Sequence, residues 1–154
     1  MALPVSLEAV VQELEGLMDE TTAFINHRTG ELATVSHDEL ALAEDEEIEE
    51  ADLPAWQVQM IPQLREIALG EDWTALPSKF DIHEWQIMSN FADRVEDAEV
   101  SERLQRAIRG RGAFRMFRDV VERAGIRESW FKFKHEALRK IARDALEERG
   151  IPYR

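Results

Sequence analysis

The chain has 154 residues, of which 44% are hydrophobic and 33% charged, with a formal net charge of −13 and no cysteine. This hydrophobic content excludes a wholly disordered chain, and the lack of cysteine excludes disulfide frameworks, thiolate zinc sites and cysteine nucleophiles. No stretch approaches the ~18 consecutive apolar residues of a membrane-spanning helix, so we expect a single cytoplasmic domain over residues 1–154.

The first predicted elements are a helix and a β-hairpin. Ser6 is a suitable N-cap, and apolar residues at spacings of three and four then predict a helix over about residues 7–19. Two β-prone runs within residues 21–36 flank a short loop, in which Asn26 can close an Asx turn and Gly30 can take a positive φ. This pattern predicts two antiparallel strands.

A second helix is predicted from Ser36, whose spacing to Glu39 is that of a capping box. It runs into residues 43–52, seven of which are acidic. Because like charges weaken a helix, we expect either a solvated helix or a mobile acidic linker there. Pro54 suits the first turn of another helix, which Pro62 should kink or split because proline lacks the N–H donor.

After one more predicted strand, all remaining predicted elements are helices. Gly70 should end the preceding helix, and residues 73–76 can form a third strand that joins the hairpin. The spacing of Asp81 and Glu84 is that of another capping box, at the start of a helix whose apolar stripe includes Trp85. Further helices are predicted over about 98–109, 113–124 and 127–149. In the helix over 113–124, the expected core residues are Phe114, Phe117, Val120, Val121 and Ala124.

These elements predict an α+β fold that is mainly α. We expect six or seven helices and a small antiparallel sheet of two or three strands, built on the N-terminal hairpin. Residues 1–78 should form an acidic helix–hairpin–helix half, and residues 79–154 a helical half with a basic surface.

Several segments resemble a known family. GRGAFRMFRD (110–119) and GIRESWFKF (125–133) are similar to a signature of a bacterial uncharacterised protein family, number 0158 of the UPF series. NHRTGE (26–31) and ALEERGI (145–151) also resemble that family's layout. The resemblance implies one bacterial cytoplasmic domain and no particular activity.

Charge is distributed unevenly along the chain. Residues 1–78 hold 18 acidic and 2 basic residues, a net charge of −16, whereas residues 79–154 hold 14 and 17, a net charge of +3. The stretch 103–143 holds 13 basic and 4 acidic residues, a net charge of +9. Such asymmetry indicates either a charged partner or neutralisation between the two halves of the chain.

The strongest candidate site lies in the basic stretch, at Gly110, Arg111 and Gly112. These residues precede a helix N-terminus, where backbone N–H groups and the helix dipole favour an anion. Arg115 and Arg118 follow at helical spacing, so the three arginines share a face if the helix reaches back to residue 111. The alternative is a tight turn between helices whose arginines pair with the chain's own acids.

The last predicted helix carries a second group of cations. Lys132, Arg139 and Arg143 lie on one face of it, and with Gly125 before the helix they could belong to a helix-turn-helix. Glu136 on the same face and the negative net charge favour an ordinary helical hairpin instead.

Two other patterns are weaker. Residues 130–134 (WFKFK) interleave aromatics with lysines, which can stack bases, but at least two of the aromatics should be core. The four histidines complete no metal-binding pattern, and residues 44–50 lack the ligand spacing of a calcium loop. We therefore predict no metal, no cofactor and no catalytic residues.

Three functions remain open at this point. The first is a non-enzymatic interaction or adaptor protein that presents the basic helical surface of residues 103–143 to an acidic partner. The second is a nucleic-acid-associated regulator that uses the same surface. The third and weakest is an enzyme of unknown type.

Overall fold

The computed structural model of the protein describes residues 5–45 and 52–154. Within these ranges the chain forms seven helices of at least eight residues, one short helix and three strands. In chain order they are α1 (Leu7–Glu15), β1 (Thr21–Asn26), β2 (Leu32–Ser36), α2 (His37–Glu44), α3 (Ala55–Leu69), β3 (Trp73–Ala75), α4 (Lys79–Ile82), α5 (Glu84–Arg94), α6 (Ala98–Ala107), α7 (Ala113–Ala124) and α8 (Arg127–Glu148). The predicted mainly helical α+β class is confirmed.

The chain divides into two compact units. The first comprises Met1–Asp81 together with Ile141–Arg154, and the second comprises Ile82–Lys140. The sheet belongs to the first unit and the arginine-rich helices to the second. The long helix α8 contributes residues to both.

A three-stranded antiparallel sheet organises the first unit. Its strand order is β2-β1-β3, so β1 is the central strand and the predicted third strand does join the hairpin. Ala23 and Ile25 in β1 are completely buried, as expected for a central strand. A hydrophobic cluster packs against the sheet and contains Val35, Ala43, Leu64, Ile67 and Trp73.

The hairpin loop is closed by Asn26, the one buried polar residue of the described ranges. Its Oδ1 accepts hydrogen bonds from the backbone N–H of Arg28 (2.9 Å) and of Thr29 (3.1 Å). Gly30 has φ +77° and donates its N–H to the Asn26 carbonyl over 2.7 Å. The Asx turn and the positive φ predicted from the sequence are therefore both present.

The same loop is tied to the segment that precedes β3. The His27 backbone N–H donates to the Asp72 carbonyl over 2.9 Å, and His27 Nε2 donates to the Glu71 carbonyl over 2.7 Å. The Arg28 guanidinium lies 3.4 Å from the Asp72 carboxylate. His27 at the loop tip thus holds the hairpin to its neighbour.

Helix boundaries in the first unit follow the predicted caps with two differences. The Ser36–Glu39 capping box is formed in both directions, and Ser6 caps α1. However, α1 ends at Glu15 rather than near residue 19, because Gly16 is its C-cap. Pro62 does not split α3, since buried residues on both sides of it hold the helix against the core at the cost of one hydrogen bond.

The capping box predicted at Asp81 and Glu84 is displaced by one turn. Ser78 and Asp81 make reciprocal side-chain to backbone hydrogen bonds of 3.0 and 3.1 Å, and this box starts the short helix α4. His83 then takes φ +52°, which interrupts the helix before α5 begins at Glu84. Asp81 therefore serves as the third helical position of a box rather than as the cap of α5.

The acidic run 43–52 is only partly covered by the described residues. Helix α2 ends at Glu44, and Asp45 has an extended conformation. Residues 46–51 lie outside the described ranges, so the choice between a solvated helix and a linker stays a prediction for them.

The C-terminal segment pairs with the start of the chain inside the first unit. Gly150 (φ +66°) ends α8, and Val5 then forms a parallel bridge with Tyr153. The Val5 N–H donates to the Pro152 carbonyl over 3.0 Å, and the Arg154 N–H donates to the Val5 carbonyl over 2.9 Å. These bonds hold the two segments beside the buried Ile151.

Tyr153, the one tyrosine of the sequence, gives this segment a spectroscopic signal. Its hydroxyl donates to the Glu147 carboxylate over 2.6 Å, and this hydrogen bond, followed by desolvation, raises the pKa of Tyr153 above 10.0. In a titration of tyrosinate absorbance, Glu147→Gln should therefore lower the midpoint towards the ordinary value, whereas Glu148→Gln should not. Because the folded-state pKa is raised, the stabilisation is complete below pH 10 and is lost as pH rises through the folded-state pKa. A wild-type midpoint at the ordinary value would contradict the hydrogen bond.

Four aromatic rings form the centre of the second unit. Phe91 lies 5.3 Å from Trp130, 5.4 Å from Phe133 and 6.2 Å from Phe117, measured between ring centroids. Phe117 and Trp130 are themselves 4.8 Å apart in an edge-to-face arrangement. Helices α5, α7 and α8 are thereby joined through one cluster of inclined rings, the arrangement that aromatic pairs prefer.

Two residues that the sequence pattern placed in the core of this unit are instead partly exposed. Phe114 is 46% exposed and Trp85 is 45% exposed. The buried face of α7 is centred on Phe117 and Val121, and at 100° per residue Phe114 lies only about 20° around the axis from Val121. Phe114 is thus on the apolar side of the helix but in its first turn, so a predicted stripe does not determine how much of its length other elements cover.

Candidate functional site

The candidate site is a glycine-containing turn and the helix that follows it. Helix α6 ends at Ala107, and Ile108 is its C-cap. Gly112 then takes φ +69° and ψ 29° at the N-cap of α7, which begins at Ala113. The helix predicted over 113–124 is therefore present, Arg111 lies in the turn before it, and the condition under which all three arginines would share one helix face is not met.

Residues 109–118 contain four arginines and no acidic residue. We call Arg109, Arg111, Arg115 and Arg118 the arginine surface. All four are exposed, and none of them makes an ion pair with another residue of the described ranges. Their charge is therefore not neutralised by a described carboxylate.

Other cations of the second unit do have partners. Arg103 and Arg106 lie 3.7 and 3.2 Å from Glu99 and Glu102, each one helical turn earlier in α6. Two further pairs, Arg127 with Glu122 (3.5 Å) and Lys134 with Glu84 (2.8 Å), are also formed within this unit. The basic stretch 103–143 thus contains cations with acidic partners, the arginine surface, and other exposed cations such as Arg123 and Lys140.

The local electrostatics of α7 are unfavourable as they stand. Its first turn contains no acidic residue, and Gly112 supplies no side-chain cap. Arg111 and Arg115 consequently lie beside the positive end of the helix dipole, where cations are destabilising. A bound anion would offset the repulsion and accept hydrogen bonds from the uncapped N–H groups. The N-terminus of α7 would therefore be stabilised by an anionic ligand.

Aromatic side chains border the arginine surface. Phe114 lies one position before Arg115 and one helical turn before Arg118. The Trp85 indole N–H donates to the Ile108 carbonyl over 2.8 Å, which places that partly exposed ring against the residue that precedes Arg109. Sequence periodicity assigned both aromatics to the core, so only their exposure in the structure associates them with the site.

The cations of α8 do not gather into a comparable surface. Lys132 is exposed, whereas Arg139 is half-buried and has an interaction partner. Arg143 belongs to the first unit and acts electrostatically on the Tyr153 phenol. The helix-turn-helix interpretation of these residues stays a prediction.

The aromatic run 130–134 is mostly structural. Trp130 is buried, Phe133 lies in the aromatic cluster, and Lys134 is paired with Glu84. Phe131 is 51% exposed, but the Arg127 guanidinium lies 5.2 Å from the centre of its ring. At least two of the three aromatics are therefore packed, as the sequence predicted.

Glycine substitutions in the turn have different expected costs. Gly112→Ala should reduce the free energy of unfolding by about 1 kcal/mol, because a residue with a Cβ is strained at φ +69°. Gly110→Ala is the matched control and should change it by less than about 0.5 kcal/mol. Gly110 has no positive φ, and a Cβ there would have nothing within 4 Å. Urea denaturation of the two variants measures the difference, and equal losses would contradict the turn geometry.

The described ranges contain no group of three or more histidine or carboxylate side chains arranged to hold a metal ion. No helix in those ranges has both the length and the apolar content required to cross a membrane.

Comparison with known proteins places the chain in a family without assigning it an activity. Neither the curated proteins nor the solved structures give a significant match. One family model, described as that of an uncharacterised protein family, matches residues 3–153. The match includes the turn, α7 and the start of α8, on which the resemblance was based. The chain therefore belongs to the uncharacterised protein family UPF0158.

Proposed function

We propose that the protein is a cytoplasmic, non-enzymatic interaction protein that binds an acidic partner protein through the arginine surface. The observation that carries the proposal is the exposure of four arginines within ten residues with no ion pair to a described residue. The proposed surface is smaller than the whole stretch 103–143, because much of that stretch is paired or packed.

The residue types of the site favour a protein partner over a nucleic acid, whereas the net charge of −13 opposes the long-range approach of an acidic protein and of a phosphate backbone alike. The residue types of the site, arginine with phenylalanine and tryptophan, are those enriched at protein interfaces and at their energetic centres. A nucleic acid partner is the alternative that the following experiment also examines.

The proposal is tested by comparing two triple variants of equal charge. Arg111, Arg115 and Arg118 are changed together to glutamine in one variant, and the paired Arg103, Arg106 and Arg127 in the other. Binding of fluorescein-labelled polyglutamate is measured by anisotropy over a series of salt concentrations. The first variant should lose about tenfold or more in affinity and show a weaker salt dependence, because it removes the contacting cations. The second should lose less than about threefold, from the change in net charge alone.

Two results would contradict the proposal. Equal losses in both variants would mean that only total charge matters. Tighter binding of a single-stranded RNA or a DNA duplex than of polyglutamate, abolished in the first variant, would assign the surface to nucleic acid instead. Thermal unfolding provides the folding control. The first variant should melt no lower than wild type, because its three arginines make no ion pair with a described residue and because Arg111 and Arg115 lie at the positive end of the α7 dipole.

A further inference from the structure

We infer that the segment bound by the arginine surface is an acidic stretch with a large apolar side chain, and that this side chain packs on Phe114. The inference rests on the proposed function and specifies its partner. It concerns the composition of the partner segment, which charge complementarity alone leaves undefined.

The position of Phe114 on α7 places its ring among the cations. At 100° per residue, Phe114 lies about 40° around the helix axis from Arg118 and about 100° from Arg115. A carboxylate that pairs with Arg118 would therefore come close to the Phe114 side chain. Since Phe114 is 46% exposed, that approach removes apolar surface from water.

Phe114 also differs from Phe131, another exposed aromatic of the second unit. Phe131 is covered on one face by the Arg127 guanidinium, at 5.2 Å. No cation–π contact to Phe114 is formed within the described residues, although arginines lie on both sides of it in the sequence. The exposed part of the Phe114 ring therefore remains available for contact.

Charge and apolar contact would make separate contributions to binding. Exposed ion pairs contribute little to affinity and are screened by salt, but they accelerate and orient association. Interfaces gain most of their affinity from a few desolvated anchors, typically aromatic, surrounded by polar residues. The arginine surface with Phe114 has this composition, so a partner with carboxylates alone would leave its central apolar contact unused.

The inference is tested with two peptides of equal charge and the full-length protein. One is a short glutamate peptide with a central serine, and the other carries leucine at that position. The leucine peptide should bind wild type about tenfold more tightly, and the ratio of affinities should be insensitive to salt because burial of a side chain is not screened. In Phe114→Ala the ratio should fall to about one. The matched control, Phe131→Ala, should retain the wild-type ratio.

The possible failures are distinguishable. Equal affinity of wild type for both peptides, with arginine-dependent binding retained, would overturn the inference and leave the proposed function standing. Loss of the ratio in Phe131→Ala as well as in Phe114→Ala would also overturn it. Failure of both peptides to bind wild type at low salt would overturn the proposed function itself. The wild-type comparison requires no variant, so it remains decisive even if Phe114→Ala folds poorly.

Discussion

Replacing Phe117 with alanine should lower the free energy of unfolding by about 3–5 kcal/mol. Phe117 is completely buried, and its ring contacts both Phe91 and Trp130 in the aromatic cluster. The truncation removes apolar contact area and leaves a cavity between helices that cannot fully collapse, and it also removes two aromatic pairs. Guanidinium denaturation, monitored by tryptophan fluorescence, measures the loss.

Phe114→Ala is the control for this prediction. The residue type and the helix are the same, but Phe114 is 46% exposed and lies outside the cluster. Its substitution should cost much less than that of Phe117, about 1 kcal/mol, because nearly half of the lost surface is already in contact with water. Equal costs at the two positions would show that α7 is rotated relative to the orientation described above.

Asn26→Ala should destabilise the protein by about 2–3 kcal/mol. The substitution removes the acceptor of two partly buried backbone N–H groups, those of Arg28 and Thr29, and so opens the Asx turn. It also loosens the loop that His27 ties to Glu71. Chemical denaturation measures the loss, and amide hydrogen exchange at positions 28 and 29 should become faster.

Asn90→Ala provides the comparison for Asn26. Asn90 is exposed, and its side chain accepts one hydrogen bond from Gln86 over 2.9 Å, one turn earlier in α5. We expect a change below about 0.5 kcal/mol, since water replaces that partner. Unchanged amide exchange at positions 28 and 29 in Asn26→Ala would contradict the role given to its side chain.

Local sequence chemistry predicted the elements that depend on neighbouring residues. The Asx turn at Asn26 and the capping box from Ser36 to Glu39 need only residues within four positions, and both are present. The fold class followed from the same signals. The displaced capping box shows the limit, because Ser78 and Asp81 compete with Asp81 and Glu84 for one helix start.

The candidate site was predictable in part. The sequence places Arg111, Arg115 and Arg118 close together and next to a glycine turn. It could not tell them apart from Arg103 and Arg106, because Arg115 and Arg118 also have a carboxylate four residues away, yet only Arg103 and Arg106 form the ion pair. Nor could it assign Phe114 to the site, because the residue fits the apolar spacing of α7.

The amino-acid sequence by itself therefore determined the type of each element, the signals that start and end it, and the clustering of positive charge at 103–143. These properties arise from interactions between residues a few positions apart. The tertiary structure determined how much of Phe114 and Trp85 is exposed, because that depends on which distant elements cover each side chain. It also showed which guanidinium groups meet a carboxylate, since the sequence permits several pairings one turn apart and only some of them form. The proposed partner site therefore depends on exposure and ion pairing that the sequence alone does not determine.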